Sequence, residues 1–333
     1  MSYQICLIPG DGIGQEVIPA ARALLKATGL KFLFIQAEAG WATFTQLGTA
    51  LPKETIEAVR KADATLFGAV SSPLKPISGY RSPIVTLRRE LDLYANLRPI
   101  VSQPTPNSRQ GIDMLIVREN SEGLYSGRER EIAEGAITER LITRRASLRI
   151  ARRAFQLALT RRKKVTIIHK ANVLRATCGL FRQMAMQIAK EFPQIEVEEM
   201  LVDTAAMRLI TSPERFDVLL TPNLFGDILS DEAAALVGGL GLIPSGNIGD
   251  NTAIFEPIHG SAPDIAGKGI ANPTATLLAA AMLLEYLGEQ KTATRVKRAI
   301  QHVLEHGPHT PDLGGTATTQ AVTEAVIREL EQG

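Results

Sequence analysis

The sequence predicts an α/β protein, and three observations support this class. Short apolar runs alternate along the chain with longer segments in which apolar residues recur every three or four positions, and strands that alternate with helices are typical of this architecture. The chain has 333 residues, a length that corresponds to about two domains. Hydrophobic residues make up 45% and charged residues 22% of the chain, so we expect a buried core rather than disorder.

The elements follow from these two hydrophobic periods. Continuous apolar runs predict strands over residues 5–8, 31–37, 64–68, 114–117, 165–169, 195–202 and 218–221. Helical spacing of apolar residues predicts helices over residues 15–27, 53–61, 150–159, 178–192, 228–238 and 274–288. A segment rich in Pro, Ser, Gln and Asn at 99–109 and a glycine-rich segment at 238–251 predict two crossovers.

The overall charge and apolar content exclude several classes of protein. Lys and Arg number 37 and Asp and Glu number 35, which leaves a net charge of +2. No apolar run reaches the roughly 18 residues that a membrane-spanning helix needs, and no charged leader with a cleavage site is visible. Cys6 and Cys178 are too few for a disulfide framework, and we expect both to be buried packing residues. We therefore expect a cytoplasmic protein without a membrane partner.

Residues 140–164 depart from this near-neutral average, with ten basic residues and no acidic one. Such a cluster can indicate a nucleic-acid-binding surface. The alternative is a solvated helix, because apolar residues recur every four positions and would form a buried stripe beside the arginines. The stripe consists of Ile142, Ala146, Ile150, Ala154 and Ala158. We favour the solvated helix and expect no nucleic-acid partner.

A glycine-rich turn follows the first predicted strand, with Gly10, Gly12 and Gly14 before the first helix. The dinucleotide-binding turn of Rossmann proteins needs glycines at its first, third and sixth positions, and Gln15 occupies the sixth position here. We therefore reject the Rossmann interpretation. Glycines still allow the backbone of this turn to approach another group closely.

Two carboxylates four residues apart, Asp227 and Asp231, share one face of a predicted helix. Like charges at this spacing disfavour a helix unless a cation joins them, and carboxylate oxygens select hard ions such as Mg²⁺ or Mn²⁺. Asp203, at the end of a predicted strand, is a candidate third ligand. The alternative is an acidic helical turn without a metal.

Three arginines, Arg88, Arg98 and Arg118, form a candidate site for a substrate with several carboxylates. Arginine pairs bidentately with carboxylates and always keeps its charge. Lys170, at the end of a predicted strand, is a candidate base, and Tyr125 is a candidate general acid. Taken singly, each of these residues is also compatible with an ordinary surface or packing role.

Six sequence blocks, in order along residues 10–315, resemble the β-decarboxylating dehydrogenase family of isocitrate, isopropylmalate and homoisocitrate dehydrogenases. Any single block is weak evidence, whereas the combination and its order are specific. The blocks are the glycine turn at 10–14, Leu-Arg through Leu-Arg-Pro at 87–99, Val-Arg-Glu-Asn-Ser-Glu-Gly-Leu-Tyr at 117–125, His-Lys-Ala-Asn at 169–172, Asn-Leu-Phe-Gly-Asp-Ile-Leu-Ser-Asp at 223–231, and Glu-Pro-Ile-His-Gly-Ser-Ala-Pro-Asp-Ile-Ala-Gly and its continuation at 256–273.

The resemblance implies an isopropylmalate-dehydrogenase-like fold, which is not a Rossmann fold. A large cofactor-binding domain would use both chain ends, residues 1–98 and 252–333. A smaller central domain, residues 99–251, would carry the dimerisation, metal and substrate residues. The resemblance also implies a homodimer with shared active sites, and the pairing of dimers into tetramers stays open.

The resemblance assigns roles to individual residues, of which Lys170, Asn172 and Asp203 would cross into the active site of a second subunit. The implied catalytic residues are Lys170, Tyr125 and Asp203. The implied ligands of Mg²⁺ or Mn²⁺ are Asp203, Asp227 and Asp231. The implied substrate-binding residues are Ser72, Ser82, Val85, Arg88, Arg98, Arg118, Tyr125, Lys170 and Asn172. The implied cofactor-binding residues are Val70, Ser71, Ser72, Asn172, His259, Gly260, Ser261, Ala262, Asp264, Ile265 and Asn272.

The nicotinamide cofactor is expected to be NAD. Family members that use NADP carry Lys-Tyr where this chain has Asp264 and Ile265. An aspartate accepts a hydrogen bond from the adenosine ribose and repels a 2′-phosphate.

The substrate is predicted from residues 79–86, which precede Arg88. Isocitrate enzymes resemble Ser-Leu-Asn-Val-Ala-Leu-Arg here. This chain keeps Ser82 but has Ile84 in place of the asparagine, which removes a donor for the extra carboxylate. The stretch from Ser82 is most similar to fungal homoisocitrate dehydrogenases, whereas some bacterial ones have arginine at the position of Val85. We therefore favour homoisocitrate, which would be converted to 2-oxoadipate and CO₂ in lysine biosynthesis.

Other substrates and one other class of protein stay open. Isocitrate and 3-isopropylmalate, or relaxed specificity among the three acids, are the alternatives within the family. Ser72, Tyr80 and Arg81 are candidates for the missing donor to the distal carboxylate. A non-catalytic regulatory subunit is disfavoured because the candidate base, acid and metal carboxylates are all present.

Overall fold

The computed structural model describes residues 2–73, 75 and 77–332. Its strands are β1 (Tyr3–Gly10), β2 (Phe32–Gln36), β3 (Ala64–Ala69), β4 (Ala95–Val101), β5 (Asp113–Glu119), β6 (Glu129–Ile132), β7 (Gly135–Thr138), β8 (Lys164–His169), β9 (Glu196–Leu201), β10 (Val218–Thr221), β11 (Pro244–Ile248) and β12 (Ala253–Pro257). Its α-helices are α1 (Gly14–Ala27), α2 (Trp41–Leu47), α3 (Lys53–Lys61), α4 (Pro83–Glu90), α5 (Arg144–Ala158), α6 (Thr177–Ala189), α7 (Val202–Thr211), α8 (Asn223–Leu236), α9 (Thr274–Tyr286), α10 (Gln290–His306) and α11 (Thr319–Gln332).

The chain folds into two compact units. The first unit contains Met1–Leu91, Gln103–Ser108 and Gly238–Gly333, and the second contains Asp92–Ser102 and Arg109–Val237. The first unit thus uses both chain ends and the second uses the middle of the chain.

The unit boundaries differ from the predicted domain boundaries after residues 98 and 251. β4 pairs antiparallel with β5 from Ala95 opposite Glu119 to Val101 opposite Asp113, so all of β4 lies in the second unit. β11 pairs antiparallel with β12, so both strands lie in the first unit. The division therefore keeps the whole of β4 in the second unit and the whole of β11 in the first, which a local composition change does not reveal.

The sheet of the first unit has the strand order β2-β1-β3-β12-β11. β1 is parallel to β2 and β3, and β12 is parallel to β3. β3 and most of β1 are buried, which explains why both appear in the sequence as continuous apolar runs. α9 packs against β11 and β12 and is buried around most of its circumference.

The sheet of the second unit has the strand order β4-β5-β10-β8-β9. β4 is antiparallel to β5, whereas β5, β10, β8 and β9 are parallel to one another in this order. The carboxyl ends of these parallel strands lead into segments that carry candidate site residues, because Lys170 follows β8 and α8 begins shortly after β10.

Most of the basic segment forms α5, and the predicted apolar stripe is confirmed for the residues that lie on this helix. Ala146, Ile150, Ala154 and Ala158 are almost fully buried, at 5% exposure or less, whereas Ile142 precedes the helix and is half-buried. Several of its arginines pair with carboxylates of the same unit: Arg149 with Asp92, Arg152 with Glu191, and Arg161 with Asp113 and Asp217. Ion pairs thus neutralise part of the segment's positive charge.

Three element predictions are corrected by the structure. The crossover predicted at 99–109 begins inside β4. The glycine-rich segment 238–251 contains β11, which is buried although it has the polar sequence Pro-Ser-Gly-Asn-Ile. The strand predicted over 195–202 ends at Leu201, so Asp203 lies in the first turn of α7 and not at a strand end. Each helix that the structure describes is too short or too polar to cross a membrane.

Candidate active site

Two arginines on neighbouring strands of the second unit converge on α8. Arg118, in β5, donates from Nε and Nη2 to Asn223 Oδ1, at 3.0 and 2.7 Å. Its Nη1 donates to Asp227 Oδ1. The Nη2 atom of Arg98, in β4, lies 3.2 Å from the same oxygen. The structure therefore brings together two of the three predicted carboxylate-binding arginines, and Asp227 joins them.

The close approach of α8 to Arg118 depends on a glycine. A Cβ atom on Gly226 would lie 2.2 Å from Thr221 Oγ1 and 2.8 Å from Arg118 Cβ. No side chain fits within these distances without displacing the helix. Gly226 therefore allows Asp227, the next residue, to reach the guanidinium of Arg118.

The tyrosine predicted as a general acid also contacts Asp227. The Tyr125 hydroxyl donates to Asp227 Oδ2, and the Arg118 guanidinium lies 5.2 Å from the centre of the Tyr125 ring. Burial and the bond to Asp227 raise the pKa of Tyr125 above its ordinary value. The hydroxyl therefore keeps its proton near neutral pH, as a proton donor must.

Asp231 lies one helical turn beyond Asp227, as the sequence predicts for two carboxylates on one helix face. Its side chain is 59% exposed, and its Oδ1 lies 3.5 Å from Arg98 Nη1. Partial burial raises the pKa of Asp231, and the negative charge of Asp227 adds to this effect while Arg98 opposes it. Asp231 is thus the more accessible of the two carboxylates.

The loop that carries Tyr125 is shaped by two buried glutamates. Glu119 accepts hydrogen bonds from the backbone N–H groups of Ser121 and Glu122, at 2.9 and 3.0 Å. Glu122 accepts from the backbone N–H and the hydroxyl of Thr143, both at 2.9 Å. Thr143 in turn caps the start of α5. These bonds fix the chain between β5 and Tyr125.

The predicted base and the third predicted metal ligand form an ion pair. Lys170 Nζ lies 2.5 Å from Asp203 Oδ1, and this bond lowers the pKa of Asp203. Asp203 is 61% exposed, and Asn172 is also exposed. The three residues predicted to serve a second subunit therefore lie at the surface or near it.

The carboxylates of α8 suit a divalent cation by their chemistry. Asp227 and Asp231 offer oxygen donors from one helix face, and oxygen donors are what Mg²⁺ and Mn²⁺ prefer. Within the part of this chain that the structure describes, no group of three Asp, Glu, His or Cys side chains could hold a metal ion. Asp203 is therefore not joined to Asp227 and Asp231 within one protomer, and its role as a ligand from a second subunit stays a prediction.

The remaining predicted substrate residues lie in the first unit, with Val85 and Arg88 on α4, Ser82 just before it and Ser72 after β3. Arg88 donates from Nη2 to Glu256 Oε1 at 2.9 Å, and Asn247 Nδ2 donates to the same oxygen at 2.7 Å. Ser82 immediately precedes α4, and Val85 lies on the helix and is half-buried. Arg88 is thus held by a carboxylate of its own unit.

The predicted cofactor residues of the first unit come from three segments. Val70, Ser71 and Ser72 follow β3, and residues 259–265 follow β12. The Ser71 hydroxyl donates to the Ser261 hydroxyl at 2.8 Å, which joins these two segments. Asn272, in the third segment, accepts from the backbone N–H of Thr274 at 3.0 Å and donates to an Asp312 carboxylate oxygen at 2.9 Å.

One buried atom in these segments has unused hydrogen-bonding capacity. His259 Nε2 is buried and finds no partner among the described residues, while Nδ1 contacts the Gly260 carbonyl oxygen at 2.9 Å. Burial lowers the pKa of His259, so the ring is neutral near pH 7. Asp264 is exposed, whereas Ile265 packs towards Ile13 and Val17. A buried ring nitrogen without a partner among the described residues and an exposed carboxylate in the same segment both suit a polar nucleotide.

Several residues that build these sites were not predicted from the sequence. They are Glu256 and Asn247 at Arg88, Asn223 and Ser230 at the arginine pair, where the Ser230 hydroxyl accepts from Arg98 Nη1, Glu119 and Glu122 in the tyrosine loop, and Asp312 at Asn272. The blocks at 117–125, 223–231 and 256–273 contain most of them. Their positions inside those blocks could have marked them as site residues. Their partners could not be inferred, because most of these partners are distant in sequence.

The site and the fold together define an enzyme that acts on carboxylates, with an arginine pair, a protonated tyrosine and a carboxylate pair in one unit. The sequence model of the family described as "Isocitrate/isopropylmalate dehydrogenase" matches residues 4–326, and the chain belongs to this family. It is therefore a β-decarboxylating dehydrogenase, and the predicted isopropylmalate-dehydrogenase-like fold is confirmed.

Known proteins similar to this chain differ in their named substrates. The isocitrate/homoisocitrate dehydrogenase of Thermus thermophilus is 59% identical over 332 residues, with 99% of each chain covered. The 3-isopropylmalate dehydrogenase of Methanothermobacter thermautotrophicus is 51% identical over 332 residues, again with 99% of each chain covered. The crystal structure of isocitrate dehydrogenase from Methylococcus capsulatus superposes with a TM-score of 0.95 at 45% identity, covering 99% of this chain and 100% of that one.

Proposed function

We propose that the protein catalyses the NAD-dependent oxidative decarboxylation of homoisocitrate to 2-oxoadipate and CO₂, with Mg²⁺ or Mn²⁺ bound. The observation that carries this proposal is the convergence of Arg98, Arg118 and Tyr125 on Asp227. This cluster combines carboxylate recognition, a proton donor and a carboxylate ligand in one place. The similarity to the Thermus thermophilus enzyme supports the choice of acid.

The arginines bind and orient the substrate. Arg98 and Arg118 present planar guanidinium groups that suit bidentate contact with carboxylates. Both are largely buried, at 8% and 1% exposure of their side chains, so a bound carboxylate would meet a fixed charge in a site with little water. The role of Arg88, which Glu256 holds in the first unit, stays a prediction from the family resemblance.

Protons move through Lys170 and Tyr125 in this mechanism. Lys170, the predicted base, would accept the proton of the substrate hydroxyl, and bound NAD would supply the acceptor for the hydride from the same carbon. The bond to the β-carboxylate then breaks, CO₂ departs, and the electron pair stays on the remaining carbon. Tyr125 returns a proton to that carbon.

Metal and cofactor would be held by residues already described. Asp227 and Asp231, with Asp203 of a second subunit, would hold the divalent ion. A bound divalent ion supplies Lewis-acid stabilisation of the negative charge that develops on the substrate oxygen. Asp264 would accept from the ribose hydroxyls of NAD and disfavour the additional phosphate of NADP. His259 Nε2, which is buried and has no partner in the described part of the chain, would contact the cofactor.

The proposed assembly is a homodimer in which Lys170, Asn172 and Asp203 serve the second subunit's site. Two observations support it. These residues lie away from the Asp227 cluster's hydrogen-bond network in the protomer, since Lys170 bonds to Asp203 instead. The hairpin of β6 and β7, residues 129–138, is exposed along its length in the single protomer. Such exposure is expected of an arm that packs against another subunit.

A second candidate substrate is 3-isopropylmalate, and a specific observation favours it. Val85 is half-buried on α4 and offers a methyl surface on the helix that carries Arg88. An apolar substrate group fits such a surface, whereas a distal carboxylate would lose hydration there without gaining a charged partner at this position. The similarity to a 3-isopropylmalate dehydrogenase is consistent with this candidate.

Initial-rate kinetics test the proposed function. NADH or NADPH formation is measured with homoisocitrate, isocitrate and 3-isopropylmalate, each with NAD and NADP and with Mg²⁺ present. We expect the highest kcat/KM with homoisocitrate and NAD. A higher kcat/KM with 3-isopropylmalate would transfer the assignment to the second candidate, and equal use of NADP would contradict the role of Asp264.

The variant Val85→Arg tests the specificity argument directly. A guanidinium at this position would bind a distal carboxylate and bury an unpaired charge against an isopropyl group. We expect kcat/KM for homoisocitrate relative to 3-isopropylmalate to rise by about tenfold or more, the scale of one charged hydrogen bond. Val85→Leu is the matched control, and an unchanged ratio in Val85→Arg would remove residue 85 from substrate selection.

A further inference from the structure

The glycine-rich turn carries a buried carboxylate whose two oxygens both accept hydrogen bonds. Asp11, between Gly10 and Gly12, is 7% exposed. Its Oδ2 accepts from the backbone N–H groups of Trp41 and Ser71, at 2.7 and 2.9 Å, and its Oδ1 accepts from that of Ala42 at 2.9 Å. One carboxylate thus joins the turn, the start of α2 and the segment that follows β3.

Close backbone packing keeps Asp11 in this position. Its own N–H donates to the Ala69 carbonyl oxygen at 2.7 Å. A Cβ on Gly40 would lie 2.5 Å from Asp11 Oδ2, and a Cβ on Gly12 would lie 2.0 Å from the Ser261 carbonyl oxygen. The absence of side chains at Gly12 and Gly40 therefore allows the turn and its carboxylate to pack this closely. The close approach that the turn allows is to these segments of the chain itself.

Several groups form hydrogen bonds with Ser71, and the Asp11 carboxylate is one of them. The Ser71 hydroxyl donates to Ser261 at 2.8 Å, and its carbonyl oxygen accepts from the Tyr80 hydroxyl at 2.7 Å. The Tyr80 ring packs edge-on against Trp41, with ring centroids 5.5 Å apart. Because Asp11 binds the N–H groups of both Trp41 and Ser71, these residues form a closed circuit of contacts. The Tyr80 hydroxyl is engaged in this circuit, which argues against it as the donor to a distal carboxylate.

We propose that Asp11 is a positioning residue, whose carboxylate fixes the backbone of Ser71 and thereby the Ser71–Ser261 contact that orders the two cofactor-binding segments. This inference rests on the proposed function, which places residues 70–72 and 259–265 against NAD. Asp11 itself touches neither cofactor nor substrate. It acts by removing alternative conformations of the segment before the cofactor binds, so that less ordering is needed on binding.

The variant Asp11→Asn tests this role with little change in volume. The amide keeps one acceptor oxygen but places an N–H group against backbone N–H groups. We expect KM for NAD and the NAD dissociation constant from calorimetry to rise about tenfold or more, the scale of one lost bond to a charged acceptor. We also expect kcat at saturating NAD to change by less than about threefold, and the amides of Trp41 and Ser71 to exchange hydrogen faster.

Two controls separate positioning from a general loss of folding. Asp63→Asn removes a carboxylate that accepts the Gln4 backbone N–H at 2.7 Å at an exposed position of the same unit, and we expect wild-type kcat and KM. A merely structural defect in Asp11→Asn would lower kcat through loss of folded enzyme and leave KM unchanged. Tyr80→Phe should raise KM for NAD by a smaller factor than Asp11→Asn does. In the Asp11→Asn background, Tyr80→Phe should raise KM for NAD by less than it does in the wild type.

The outcomes distinguish failure of this proposal from failure of the proposed function. A KM and a dissociation constant for NAD within about twofold of wild type, together with faster exchange at Ser71, would overturn the positioning role. If the wild type binds NAD but forms no NADH from any of the three acids, the proposed function fails, and the change in NAD affinity of Asp11→Asn still decides the positioning role. If the wild type binds no NAD, both proposals are overturned.

Discussion

The two carboxylates of α8 should differ sharply in what they contribute to stability. Asp227 lies 3.2 Å from Arg98 and also pairs with Arg118, whose side chains are 8% and 1% exposed. Asp227→Asn leaves both guanidinium groups buried without this charge. Removal of one partner of a buried ion pair costs about 3–5 kcal/mol, and Asn223 Oδ1 still accepts from Arg118. We therefore expect a loss of about 3 kcal/mol, at the lower end of that range.

Asp231→Asn is the matched control on the same helix face. Its side chain is 59% exposed and makes a 3.5 Å contact with Arg98, so we expect a loss below about 1 kcal/mol. The free energy of unfolding is measured by urea titration of each metal-free variant at one protein concentration. Both variants should lose metal-dependent activity, but only Asp227→Asn should lose this stability. Equal free energies of unfolding for the two variants would refute the reasoning.

Three further predictions concern protons and subunits. Tyr125→Phe should lower kcat by about a hundredfold or more with little change in the substrate KM, whereas wild-type turnover would exclude Tyr125 as the acid. Burial raises the pKa of Glu122 from 4.5 to about 7, so the folded protein retains a proton that the unfolded chain releases. The wild type should therefore lose stability relative to Glu122→Gln, on the order of 1 kcal/mol, as pH rises from about 5 to about 8; a pH-independent difference in urea titrations would contradict this. A purified heterodimer of Lys170→Met and Tyr125→Phe subunits should regain about half of the wild-type activity if Lys170 crosses to the second subunit, and no activity if it does not.

Local patterns in the sequence were sufficient for many elements of the fold. α3 and β10 match their predicted bounds, because each has clear periodicity and clear ends. Local spacing was also sufficient for Asp227 and Asp231, because two residues four positions apart on a helix lie on one face. Asp203 was misplaced because Val202 looks like the end of an apolar run, although helix α7 begins there.

Elements and partners that depend on distant pairing could not be predicted. β11 has few apolar residues and is ordered by its pairing with β12, where Asn247 also reaches Glu256. α10 and α11 were not predicted, although their buried apolar residues recur every three or four positions, the same signal that predicts the other helices. Arg118 was predicted to bind a carboxylate, but its contact with Asp227, more than a hundred residues away, needed the structure.

The most direct test of the central claim is the stoichiometry of the reaction. NADH and CO₂ are measured together from homoisocitrate and from the two related acids, first with Mg²⁺ and then after chelation with EDTA. We expect NADH and CO₂ in equal amounts from at least one of these acids, and loss of both products after chelation. NADH without CO₂, or equal rates with and without a divalent ion, would contradict it.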